Sequence, residues 1–535
     1  MGMYACSLMP LVRSLKHNTD SVTYPKQVWY ADDSAAGGKL AQIVKWWNDI
    51  QLQGPIYGYH PKPSKTWLIV KPEYLNEARE LFPSGINITT TGHRYLGSFI
   101  GNQEGLQTFL SDEIDKWKKD ISGLASAAAN DPQLAYSAFV YGTSKRWNFV
   151  SRTTPDISGL LNPLEYHIKE EFLPAITGKL HVPDNIRRIF SLPAKMGGMG
   201  IFNATETSDL EYNNSIKATH ALTEALFNQA DCYDENVDEQ ASILRSIKSA
   251  REGFFKSQRV NIVDSLPPTV ARQLDLISEK GASCWLTSLP LEDYGFTLNK
   301  QEFHDAVSLR YNLTLSTLNR SGLCSCGEPN NINHCLVCKI GGFITLRHNS
   351  LRDTTEELLK DVCKDVENEP HLLPVQGIQL PAGTNLKDGA RLDVSARSFW
   401  SPLDRAFVDI RVLHPQAQSN SNKTLKQMYS SHERSKKTEY NARVLQVEKA
   451  SFTPLVFSTT GGMGEEAVRF YKRLADKVSR KTGQRYSDTI TFIRRRLRFD
   501  LLRTCLISIR GYRGKRQRTP EDIENLDLNL RPQAN

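Results

Sequence analysis

Apolar side chains recur along this chain with two different periods, and each period predicts a different kind of element. In residues 38–52, Leu40, Ile43, Val44 and Trp47 fall at three- and four-residue spacing, the stripe of an amphipathic helix. Leu110, Ile114, Trp117, Ile121 and Leu124 repeat that spacing and predict a longer helix beginning near Leu106. Helical character continues to about residue 280, broken by the glycine-rich turn KMGGMG at 195–200. Further helices are expected over 349–366, with Leu351, Leu358, Leu359 and Val362 on the apolar side, and over 424–448. Short runs of β-formers predict strands at 24–30, 66–71, 93–100, 390–396 and 405–413. The tail 520–535 is polar and is expected to fray. At 535 residues the chain exceeds one ordinary core, so a multidomain α+β protein is expected.

Composition narrows the class. Hydrophobic residues at 39% and charged residues at 24% exclude a collagen, a coiled coil and a wholly disordered chain. The longest apolar stretches fall well short of the roughly 20 residues of a membrane-spanning helix, and MGMYACSLMPLVRSL does not read as a signal peptide. Nine cysteines is an odd count, with four crowded between 324 and 338, which argues against a secreted disulfide scaffold. A soluble intracellular protein with no membrane partner is therefore expected. The formal net charge of +8 is concentrated near the C-terminus.

Four clusters could carry chemistry. In Tyr30-Ala31-Asp32-Asp33, adjacent carboxylates in a tight turn can bridge Mg²⁺ to a nucleotide phosphate; the plain alternative is a solvated Asx-type turn. Cys324, Cys326, His334 and Cys338 have ligand types and spacing that suit zinc, with Cys335 as a rival for the fourth position. Asp393 and Asp409 lie on successive strand candidates, where two carboxylates can ligate Mg²⁺ and activate water against a phosphodiester; two such acids can equally be salt-bridged structure. Arg411 shares a strand face with Asp409. Finally, Arg494, Arg495, Arg496, Arg498, Arg503, Arg510, Arg513, Lys515, Arg516 and Arg518 interleave with apolar residues, as expected of a helix packed on one side and facing phosphates on the other.

The order of these clusters resembles a known family. YADD is followed by GYHPKPSKTWLIV (58–70), containing Lys65, and by HRYLGSFIG (93–101); with WWND, GPIYGY and SLPAKMGGMG these resemble the palm motifs and primer-grip hairpin of non-LTR retrotransposon reverse transcriptases. The Cys/His cluster, GGFITLRHNSLRD (341–353), the Asp pair and a Lys/Tyr helix resemble the restriction-like PD-(D/E)xK endonuclease that follows the polymerase in site-specific elements. Two departures stand out. Only 29 residues precede Tyr30, where the family carries a further catalytic aspartate, fingers and a template-binding segment. Arg411 stands where the nuclease motif has lysine, and arginine cannot act as a base. A displaced lysine is expected from SHERSKKTEYNAR, where Lys437 shares a helical face with Glu433 and Tyr440 and Lys436 is a close rival.

The resemblance implies a partial palm at 1–103, a helical thumb at 104–240, a helical connector at 241–320, a zinc knuckle at 321–340, an α/β endonuclease at 341–465 and a basic helical segment at 466–519. It implies a C-terminal portion of a retrotransposon polyprotein whose nuclease nicks target DNA and whose polymerase copies element RNA from the freed 3′-hydroxyl. Asp32 and Asp33 would be the polymerase metal ligands, Asp393 and Asp409 would hold Mg²⁺, and Lys437 or Lys436 would orient water or stabilise the phosphate. Arg347 and His348 would meet the scissile phosphate, or His348-Asn349 would cap a helix. Polymerisation by this chain without the upstream half is not expected, and the location implied is nuclear. The alternatives are an inactive nucleic-acid-binding remnant or host-recruited zinc protein, and an endonuclease independent of any polymerase.

Overall fold

The computed structural model describes residues 2–17, 25–82, 84–230, 232–233, 236–315, 322–511 and 513 of an α+β chain. The chain divides into two compact units, each assembled from segments distant in sequence. The first takes Met1–Ser122, Tyr141–Ile168 and Asn203–Lys256; the second takes Gly123–Val140, Lys169–Phe202 and Ser257–Asn535. These boundaries cut across the segments that the motifs implied. No helix among the described residues is long and apolar enough to cross a membrane.

In the first unit, the strands Lys26–Tyr30 and Asp33–Gly37 pair antiparallel, with Tyr30 opposite Asp33. The helix Leu40–Gln53 carries adjacent tryptophans that serve two small cores. Trp46 packs with Leu8, Leu11 and Leu15 of the helix Gly2–His17, while Trp47 packs with Leu68, Val70 and Ala78. Residues 93–100, periodic as one strand, fold as the hairpin Gly92–Tyr95 and Ser98–Gly101. Leu96 and Gly97 turn it at φ 46° and 84°, the paired left-handed conformations of a tight hairpin turn. The helix Gln103–Ala128 buries Leu110, Ile114, Trp117 and Ile121, the stripe read from spacing.

The second unit holds a four-stranded sheet: β1 (Lys364–Asn368), β2 (Val394–Arg397), β3 (Arg405–Leu413) and β4 (Ser451–Ser458), in the spatial order β4-β3-β2-β1. β1, β2 and β3 run antiparallel in turn, whereas β3 and β4 are parallel. The helix α1 (Phe343–Lys360) precedes the sheet, α2 (Leu425–Lys436) lies in the β3-to-β4 crossover, and α3 (Glu465–Thr482) and α4 (Tyr486–Arg510) follow. One core joins Leu351 and Leu358 of α1, Val408 and Leu455 of the sheet, Phe470 and Leu474 of α3, and Leu497 and Leu501 of α4. The C-terminal helices are thus part of the sheet's own core.

Two strands escape sequence periodicity for physical reasons. β1 lies where a helix was expected to continue to 366; it is an exposed edge with a register shift and with Asp365 at φ 46°, so its side chains do not alternate. β4 contains Pro454, which demotes a run as a strand, yet it occupies the opposite edge, where a missing N–H is tolerated.

Candidate functional site

β2 and β3 pair with Val394 opposite Val408, which brings Asp393, just ahead of β2, beside Asp409 of β3. Asp409 is 6% exposed. Its carboxylate lies 2.9 Å from Lys436 Nζ at the end of α2. One oxygen of Asp393 accepts from the Ile410 N–H and lies 3.1 Å from Nε2 of His348 on α1. Burial raises the Asp409 pKa, repulsion from Asp393 adds to the rise, and Lys436 opposes it. Burial alone would lower His348, but its hydrogen bond to Asp393 and that group's charge outweigh it, so the net shift is upward. Two carboxylates, a lysine and a histidine therefore converge at β2 and β3. Hard oxygen donors of this kind suit Mg²⁺, which commonly takes one or two protein carboxylates and completes its shell with water and phosphate.

The neighbours expected at this site divide. Lys437 pairs at 2.6 Å with Glu466 rather than with an aspartate. Lys436, the last residue of α2, reaches Asp409, and a π-turn over Lys437–Asn441 begins just after it. Arg411 is exposed and makes no hydrogen bond or ion pair among the described residues. His348 is at the acid pair, but Arg347 is 2% exposed and donates to the Leu336 carbonyl, so the expectation that it meets a phosphate is corrected: it is interior structure.

Cys324, Cys326, His334 and Cys338 place their ligand atoms within 4.8 Å of one another, the only such cluster of three or more found among the described residues. Zinc with sulfur ligands at about 2.3 Å implies tetrahedral sulfur–sulfur edges of about 3.8 Å. The Cys324–Cys338 separation is 3.8 Å, and Cys326 Sγ lies 3.3 Å from His334 Nε2. The set can hold a metal ion such as zinc. Cys335, the rival, is 1% exposed, and its thiol donates to Asn330 Oδ1. The helix Ile332–Val337, capped by Asn331, turns His334 and Cys335 in different directions, a choice that sequence spacing left open.

Asp32 and Asp33 are exposed at the turn of the first hairpin, where Ala31 adopts φ 52°. No third carboxylate joins them in a cluster among the described residues. Lys65 is exposed at the end of the short turn Pro63–Lys65.

The basic segment is largely corrected. Arg498 (7% exposed) and Arg513 (6%) are interior, the latter donating to the Cys335 carbonyl and covering the Phe343 ring. Arg496 pairs with Glu357, Arg503 donates to the Gly295 and Thr297 carbonyls, and Arg510 pairs with Asp305. Alternation with apolar residues marked a packed helix, but the helix is covered on more sides than one, so most of its arginines serve packing. Arg494 and Arg495 remain partly exposed. Lys515, Arg516, Arg518 and the tail 520–535 lie outside the described residues.

One titratable group carried no sequence signal. Glu279 is pushed up to about 7 by burial, against a hydrogen bond from the Ser458 hydroxyl that only tertiary folding brings near. No known protein family matches the chain, and no curated protein matches it.

Proposed function

We propose that this chain is a Mg²⁺-dependent DNA endonuclease of the PD-(D/E)xK kind, part of a non-LTR retrotransposon protein whose reverse-transcriptase palm portion is represented by residues 1–103. The observation that carries the reading is the convergence of Asp393 and Asp409 on neighbouring strands with Lys436 Nζ 2.9 Å from Asp409. A helix precedes the strands, as the motif layout implies, and the Cys/His cluster lies immediately ahead of it.

Asp393 and Asp409 would hold the cation; when bound, Mg²⁺ polarises a phosphodiester and makes a coordinated water more acidic. Lys436, fixed by Asp409, would steady the attacking water or the charge that grows on the phosphate. His348 orients Asp393. The zinc cluster would orient target DNA, and the freed 3′-hydroxyl would prime copying of element RNA. Asp32 and Asp33 would be polymerase metal ligands only in a complete palm.

Supercoiled plasmid with Mg²⁺ tests this reading. Wild-type chain should nick it, EDTA should stop the reaction, and Asp409→Ala should lower the rate at least about 100-fold. Lys436→Met should cost about 100-fold as well, whereas Lys437→Met should stay near wild type. Salt-sensitive binding without nicking would replace this reading with that of an inactive nucleic-acid-binding protein.

A further inference from the structure

The second unit buries two guanidinium groups at one small cavity and a third near one of its lining residues. Arg310, Arg347 and Arg498 are 5%, 2% and 7% exposed. Arg310 and Arg498 line the cavity directly, and Arg347 acts on His414, another lining residue. Their partners are neutral. Arg310 donates to the Tyr311 and Ser283 hydroxyls and to the Ala194 and Gly198 carbonyls, and Arg347 donates to the Leu336 carbonyl. Arg498 is barer still: its Nε and Nη1 are buried with no acceptor among the described residues. Gly461 packs against this guanidinium where a Cβ would collide, so the group is held in place.

The other titratable groups supply little compensation. His414 is driven down to about 3 by burial and Arg347, so it is neutral, and it pairs with Thr459 and Asn333. Glu279 is the acid felt by Arg498; it titrates near 7, makes no ion pair with Arg498 among the described residues, and hydrogen-bonds to Ser458. A buried cation without a counter-charge costs several kcal/mol. The cavity volume is about 30 Å³, and a water needs roughly 10–15 Å³ of such space. That is room for one monoatomic anion or about two waters.

We propose that this cavity binds a halide, chloride in ordinary solution, through the unpartnered Nε–H of Arg498 and the positive field of Arg310 and Arg347. The ion would tie α4 to the Gly461 loop after β4.

Two measurements on the full chain test this. In crystals grown in bromide, an anomalous peak should lie within hydrogen-bonding distance of Arg498 Nε; density explained by water only would overturn the proposal. In solution, replacing gluconate by chloride at constant ionic strength should raise the melting midpoint by about 2–4 °C. Arg498→Met should remove that dependence, and an equal chloride response in wild type and variant would also overturn it. The bromide result on wild-type protein decides the matter even if the variant does not fold.

Discussion

Asp409 is buried and Glu279 half-buried, and their surroundings act on them differently. Asp409 faces a second carboxylate and a lysine, an arrangement that a divalent cation relieves. Glu279 accepts from the Ser458 hydroxyl and lies near Arg498, yet burial outweighs both and lifts it from 4.5 to about 7. The folded chain therefore keeps a proton there that the unfolded chain releases, and unfolding is favoured progressively as pH rises between these values. This contribution to stability is fully present below pH 4.5, is lost as pH passes 7, and is on the order of 3 kcal/mol. Urea unfolding at pH 4.5 and 7.5 should show wild type losing about that much relative to Glu279→Gln. Parallel pH profiles for the two proteins would contradict the assignment.

At the scale of elements, the Cys/His loop shows how a short helix chooses between adjacent residues. The cap at Asn331 sets the helix so that Cys335 faces the core with Leu336, while His334 faces Cys326. Zinc content separates the roles: the wild-type chain should carry one tightly held ion, Cys338→Ser should lose it, and Cys335→Ala should retain it while losing packing stability of about 1 kcal/mol. Metal lost from Cys335→Ala but retained by Cys338→Ser would reverse the choice. The same scale explains what periodicity could and could not reveal. The strand expected at 405–413 is found at Arg405–Leu413, a central strand whose β-branched and aromatic residues are mostly buried. The edges β1 and β4 are irregular in the ways that edges tolerate, so their sequences do not announce them.

At the scale of the whole molecule, the second unit cannot be cut out at a linker. Gln133 bonds to the backbone of Phe296 and Leu298, Phe190 packs against Tyr311 at 4.8 Å, and Arg310 holds the Ala194 and Gly198 carbonyls. A fragment of residues 257–535 lacks all of these partners. It should melt without a cooperative transition, as followed by near-ultraviolet circular dichroism, whereas the full chain should melt sharply. A sharp transition of the fragment at the full chain's midpoint would show that the distant segments are dispensable.

The sequence by itself determined the amphipathic helices, the central strand and the chemical types at each candidate site, because these depend on residue type and local spacing. It also determined that Cys324, Cys326, His334 and Cys338 were close enough along the chain to meet. Tertiary structure decided between neighbouring candidates: Lys436 over Lys437 at Asp409, and Cys338 over Cys335 in the cluster that can hold a metal ion. It decided as well that Arg347, Arg498 and Arg513 face inward. For the residues on helices the reason is common. A one-residue step on a helix rotates a side chain by about 100°, and only the surfaces packed around that helix determine which direction is interior.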